Sequence, residues 1–201
     1  MDVLKVPDTA KLLQTMRWIN EPPEWSYEPG RLVVVPKAET DFFRPYAGEG
    51  KDNGCLLQKS VEGDFTAVAH IRAHQVDFAD AGAMMIRASP AQWAKICVER
   101  SPIGEVNVVT VVTNQWSDDC NSELLDSPEC FVRISRRSDV FGMQYSLDGK
   151  AWRFVRTFGM LMPPKILVGL VAQAPFTGGG HAEFSEFSIT AGGVEDLRSG
   201  K

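Results

Sequence analysis

The segment WAKICVER (Trp93–Arg100) alternates strictly, with Trp93, Lys95, Cys97 and Glu99 on one side and Ala94, Ile96 and Val98 on the other. The small apolar set reads as the core face. An indole, an ammonium and a carboxylate on the opposite face are groups that hold a sugar: the ring stacks on its apolar side while the charges take its hydroxyls. FVRISRR adds Arg133, with Ser135 and Arg137, and FTAVAHIRA adds His70, with Thr66 and Arg72. Such rows equally describe solvated cross-strand pairs, each worth about a few tenths of a kcal/mol. At the rim stand Asn53 in AGEGKDNG, and Asp77 and Asp80 in HQVDFADAG. That aspartate pair fits calcium, acid–base chemistry or the capping of turn N–H groups. Calcium asks for about 6–8 oxygens, and the local sequence offers few.

Hydrolysis of a glycosidic bond with retention needs two carboxylates about 5 Å apart. The simplest source is one strand with acids at spacing two or four, and no segment has it. Glu183 and Glu186 are three apart, which puts them on opposite faces, and Glu99 stands alone on its strand. No catalytic residue is therefore assigned; an enzyme here would have to combine Glu99 with Asp77 or Asp80 from another element. Cys55, Cys97, Cys120 and Cys130 show no CxxC pair and the chain has 3 histidines, so neither a metal site nor a cofactor is expected. Cys97 reads as a small buried residue. Cys120 and Cys130 bracket a loop and come within reach of each other, but a cytosolic chain would keep them reduced.

The elements that must position these residues are short β-branched and aromatic runs bounded by turns: RLVVVP, FTAVAHIRA, AGAMMIRA, WAKICVER, EVNVVTVVT, CFVRISRR, VFGMQYS, AWRFVRTF, KILVGLVAQ and HAEFSEFSIT. They predict about ten to twelve strands at sandwich spacing, with a loop over Ser117–Pro128 and a type I′ turn at Asp148-Gly149. Only Asp8–Met16 reads as helix. The fold class is all-β, a two-sheet antiparallel β-sandwich filling residues 16–191, after an N-terminal extension (1–15) and before a flexible tail (192–201). A length of 201 residues suits one such domain, and the net charge of −5, without a basic stripe, argues against nucleic acid. No apolar run approaches a membrane span, and MDVLKVPDTAKLLQ lacks the pattern of a secretory signal. The expected compartment is the cytoplasm.

Eight motifs occur in an order that resembles the DUF1349 family of small concanavalin A-like proteins. They are W-x-N-E-P-P-x-W (Trp18–Trp25), T-D-F-F-R (Thr40–Arg44), D-N-G (Asp52–Gly54), G-D-F (Gly63–Phe65), D-x-x-D-A-G (Asp77–Gly82), W-x-K-x-x-V-E (Trp93–Glu99), V-V-T (Val111–Thr113) and Y-S-x-D-G-x-x-W (Tyr145–Trp152). Phe43 stands where that family often has tryptophan. The resemblance implies a two-sheet jelly roll with a concave groove, as in lectins and glucanases. The expected function is non-catalytic binding of a carbohydrate or sugar-like metabolite in that groove. Its lining would be Trp93, Lys95, Glu99, Arg133 and His70, with Asn53, Asp77 and Asp80 at the rim. The alternatives are a glycoside-acting enzyme and a regulatory module that binds a protein partner of sugar metabolism.

Overall fold

The computed structural model describes residues 2–201. Helix α1 (Thr9–Thr15) is capped by Asp8, whose side chain accepts from Lys11 N. The strands follow as β1 (Arg17–Ile19), β2 (Glu24–Glu28), β3 (Arg31–Val35), β4 (Phe42–Phe43), β5 (Lys51–Asp52), β6 (Cys55–Glu62), β7 (Phe65–His74) and β8 (Ala81–Ser89). Then come β9 (Gln92–Arg100), β10 (Val106–Asn114), β11 (Trp116–Leu124), β12 (Glu129–Arg137), β13 (Val140–Ser146), β14 (Arg153–Gly159), β15 (Lys165–Gln173) and β16 (His181–Ala191). Two seven-stranded antiparallel sheets pack face to face. Sheet I runs β1-β6-β15-β8-β9-β10-β11 and sheet II runs β14-β13-β12-β7-β16-β3-β2. The predicted two-sheet sandwich is correct.

Alternation assigns the faces as expected. Ala94, Ile96 and Val98 of β9, Ala67, Ala69 and Ile71 of β7, and Val132 and Ile134 of β12 all enter the core between the sheets. Gly82 lets the two sheets come close together, since a Cβ there would lie 2.8 Å from Ile71 Cγ2 and 3.0 Å from the Ala182 Cβ. The central strands of sheet I are buried on both faces. Its outer face carries a second apolar cluster of Phe42, Leu56, Ala81, Ala83, Met85, Trp93, Cys97, Val109, Val111 and Val171. Residues 40–54, including the β4–β5 hairpin, roof this cluster.

Several local expectations need correction. The stretch read as a loop after Ser117 is mostly β11, an edge strand exposed along nearly its whole length. Being wet on both sides, it has no apolar alternation to reveal it. At Asp148-Gly149 only glycine has positive φ (70°), so the turn is not type I′. Asp148 Oδ1 instead accepts from Ser146 Oγ, Lys150 N and Ala151 N, and these bonds hold its carboxyl down at about 2. In the N-terminal extension, Leu4 and Leu12 are buried in the main core. The tail lies over sheet II and accepts bonds from Gln144 and Arg137. Cys120 is exposed on β11 and Cys130 buried on β12, and all four cysteines are free thiols.

Candidate functional site

The roof over sheet I is fixed at several points. Asn53 Oδ1 accepts from Asp41 N (2.9 Å) and its Nδ2 donates to Glu39 O (3.0 Å). Arg87 makes a two-pronged ion pair with Asp52 (2.7 and 2.8 Å). Gly54 lies flat against Phe42, where a Cβ would stand 2.7 Å from the ring. Arg44 exchanges bonds with Ser117 on β11. At one end the roof leaves an opening of about 200 Å³, lined by Asp41, Phe43, Phe78, Lys95, Glu99, Asp119, Gln173 and Phe176 among others.

Lys95 is the pivot of this pocket. Its side chain is buried and Nζ donates to Gln173 Oε1 (2.6 Å), Phe42 O (2.9 Å) and Asp41 Oδ1 (3.3 Å). Burial lowers the tendency of the ammonium to keep its proton, but Asp41 and Glu99 more than offset this, and its pKa ends above the ordinary lysine value. Gln173 passes the tie onward by donating Nε2 to Ala79 O (3.2 Å). With three donors and three acceptors, Lys95 is a strut that joins roof, floor and loop, and it has no N–H left for a ligand.

Glu99 is the titratable carboxyl of the pocket. Burial pushes its carboxyl up to about 7; Lys95 opposes this, while Asp41 and Asp119 add to it. Near neutrality such a carboxyl donates or accepts a hydrogen bond equally well. The mouth is apolar on one side, where Phe78 and Phe176, both exposed, stack with centroids 5.5 Å apart.

The residues singled out from the sequence fall into three groups. Lys95 and Glu99 line the same pocket. Trp93 projects to the same side of β9 but is fully buried, edge-on to Phe42 (6.3 Å) with Nε1 donating to Pro90 O, so no sugar ring can reach it. Asn53 fastens the roof. Asp80 is buried, with Oδ2 accepting from Val76 N (2.9 Å) and Asp77 N (3.0 Å); burial raises its pKa. Asp77 caps Phe78 N and accepts from Thr177 Oγ1. These two aspartates shape the turn that presents Phe78.

Arg133 and His70 are on sheet II, on the opposite side of the molecule from Glu99. Alternation marks a residue as outward without saying from which sheet. His70 faces a larger depression of about 640 Å³ with Glu123, Asp126, Glu129, Glu186 and Arg153. It is lined mainly by exposed side chains, and Glu129 is already held by Arg72 (2.7 Å). Among the described residues no group of histidine, cysteine or acidic side chains is arranged to hold a metal. Asp41, Phe43, Asp119, Gln173, Phe78 and Phe176 are the lining residues not foreseen. Asp41 and Phe43 lie inside the T-D-F-F-R motif, which was a usable signal.

A roofed antiparallel sandwich of two seven-stranded sheets with a polar pocket on one outer face is a concanavalin A-like β-sandwich. More narrowly, the chain belongs to the family described as "Protein of unknown function (DUF1349)", whose model matches residues 18–192. It is 30% identical over 176 residues to Regulation of enolase protein 1 of Saccharomyces cerevisiae, covering 87% of this chain and 88% of that one. A crystal structure of a functionally unknown Saccharomyces cerevisiae protein superposes with a TM-score of 0.84 at 29% identity, over 89% of this chain and 97% of that one. Two more distant likenesses concern the fold alone. The GH43 protein BlXynB from Bacillus licheniformis gives a TM-score of 0.72 at 14% identity, over 94% of this chain and 39% of that one. The carbohydrate binding module CBM66 from Bacillus subtilis gives 0.57 at 13%, over 87% and 95%.

Proposed function

We propose that this protein binds a neutral sugar or sugar-like metabolite, one ring in size, in the pocket over β9 and does not convert it. The observation that carries this reading is the placement of the Glu99 carboxyl in the same pocket as the stacked Phe78–Phe176 wall. That combination suits a ring with one apolar face and a rim of hydroxyls. The volume, equal to roughly seven waters, accommodates one such ring. Three carboxylates, Asp41, Glu99 and Asp119, surround a single ammonium that is fully engaged, so a phosphorylated sugar would be repelled. Calorimetric titration with neutral monosaccharides and with sugar phosphates tests this. The expected result is binding of a neutral sugar that weakens in Glu99→Gln and Phe176→Ala; tighter binding of phosphates, or a response indifferent to both variants, refutes it. Hydrolysis of nitrophenyl glycosides, lost in Glu99→Gln, would turn the reading to that of an enzyme.

The name of the yeast relative, Regulation of enolase protein 1, favours a second reading, a regulatory module that contacts a protein of sugar metabolism. Co-elution with purified enolase in size-exclusion chromatography would support it, and separate elution at micromolar concentrations would count against it.

A further inference from the structure

Three arginines are buried in the sandwich, and two are fully engaged. Arg87 is matched to Asp52. Arg136 donates to four carbonyls, those of Ser138 (2.8 Å), Pro163 (3.0 Å), Pro164 (3.2 Å) and Met162 (3.2 Å). Arg133 differs. It is 7% exposed, its Nη2 is buried without an acceptor, and no carboxylate pairs with it among the described residues. Nε donates to Gln144 Oε1 (2.6 Å), and the guanidinium lies 4.3 Å from the ring centre of Trp152. A buried cation lacking a counter-charge is rarely tolerated in a protein interior. Gln144 and Trp152 fix its plane and leave the terminal edge of the fork on offer, which is the edge that takes two oxygens of an oxyanion.

What lies over that edge is the C-terminal segment. Gln144 Nε2 donates to Leu197 O (3.3 Å) and Arg198 O (3.1 Å), and Arg137 Nη1 donates to Glu195 O. Leu197 sits where Gly142 has no side chain; a Cβ there would be 2.9 Å from Leu197 O. The segment closes on itself through Asp196, which accepts from Arg198 N and Ser199 N through its side chain and from Gly200 N through its carbonyl. Gly200, at φ +73°, stands against Arg133 Nη2. The cover thus gives acceptors to Gln144 and Arg137 and none to Nη2. A groove of about 530 Å³ runs beside it, lined by Val140, Thr157 and Leu197 among others, so it is not packed on all sides.

We propose that Arg133, with Gln144 and Trp152, forms an oxyanion site on the outer face of sheet II, for the carboxylate or phosphate group of a ligand, and that residues 194–201 are its displaceable cover. This site is separate from the pocket over β9, and its ligand is anionic where the one proposed for that pocket is neutral.

The test lifts the cover in the full chain while leaving Arg133, Gln144 and Trp152 in place. Gly200→Val brings a Cβ into Arg133 Nη2 and the Gln144 amide at a positive φ, and Gly142→Ala fills the seat of Leu197. Tryptophan emission is followed while sodium phosphate or sodium acetate replaces chloride at constant ionic strength. Both variants should show a saturable change with an apparent Kd about tenfold or more below that of the wild type, which must first open. Adding Arg133→Met should abolish it. Saturation by phosphate alone or by acetate as well distinguishes the two ligand sources. No saturable change in either cover variant, or one that survives Arg133→Met, overturns the proposal. So does a fall in Tm for Arg133→Met alone as large as that for Arg136→Met, because Arg133 would then be a structural arginine.

Discussion

Replacing Glu99 with glutamine should stabilise the protein above neutral pH and leave its stability near pH 4.5 unchanged. In the unfolded chain the carboxyl titrates near 4.5, and in the folded protein burial raises it to about 7. Between those values the folded state keeps a proton that the unfolded state has released, so stability falls as pH rises, then levels off above the folded pKa. The interval from 4.5 to about 7, at ~1.36 kcal/mol per pH unit, caps the loss at ~3 kcal/mol. Solvent at the half-exposed mouth brings the expectation to ~1–3 kcal/mol. Glutamine imitates the protonated acid and should escape this loss. Urea denaturation of both proteins across the interval and about one pH unit beyond it should therefore show a gap that opens with pH in favour of the variant. A gap of constant size, or a variant less stable at neutral pH, would mean that Glu99 is the ionised partner of Lys95, and the acid–base reasoning for the pocket would fall.

Three further substitutions probe the supports of the site. Lys95→Met leaves Asp41, Gln173 and the Phe42 carbonyl without their donor, and should cost ~3 kcal/mol, or roughly 6–12 °C in Tm by calorimetry. Trp93→Ala removes a fully buried indole under the roof and should cost ~3–5 kcal/mol in urea denaturation, a loss that a surface-stacking tryptophan would not show. Gly82→Ala forces a methyl against Ile71 and Ala182 of the facing sheet and should cost ~1–3 kcal/mol.

The sandwich was legible because its central strands carry a period-two pattern, and β9 gave its two faces residue by residue. The site was legible only in part. Alternation correctly sent Lys95, Glu99, Arg133 and His70 outward but carries no information on which sheet is which, so two opposite faces were read as one groove. Trp93 was misplaced because the residue that covers it, Phe42, is some fifty positions earlier in the chain. Asp119 was missed because an edge strand wet on both sides resembles a loop, and Gln173 because a lone polar residue ending KILVGLVAQ resembles the end of a strand. Asp77 and Asp80 had a capping reading from the start, and their bonds to Val76 N, Asp77 N and Phe78 N are of that kind.

The roof explains why the pocket is small and closed. An open outer face on sheet I would be a long trough across its strands, suited to a polymer. Here Phe42 inserts over Trp93, and the Arg87–Asp52 and Lys95–Asp41 ion pairs clamp residues 40–54 onto the sheet, which converts the middle of that trough into a second apolar core. Small residues make the conversion possible, since Ala81 and Ala83 on β8 and Gly54 beside Phe42 leave the aromatics their depth. What remains open is the end at Glu99, bounded by the turn that Asp77 and Asp80 cap and by the Phe78–Phe176 stack. The same clamp that buries Trp93 also removes water from Glu99 and so raises its pKa. Roof and acid are therefore one design: loosening the roof, as in Lys95→Met, should hydrate the carboxyl as well as destabilise the fold. Hydration lowers the Glu99 pKa, whereas loss of the Lys95 charge alone raises it. The carboxyl carbon shift of Glu99, followed by NMR titration in that variant, separates the two: an upward movement means the roof stays shut without its strut, and a downward one means that Lys95 holds it closed.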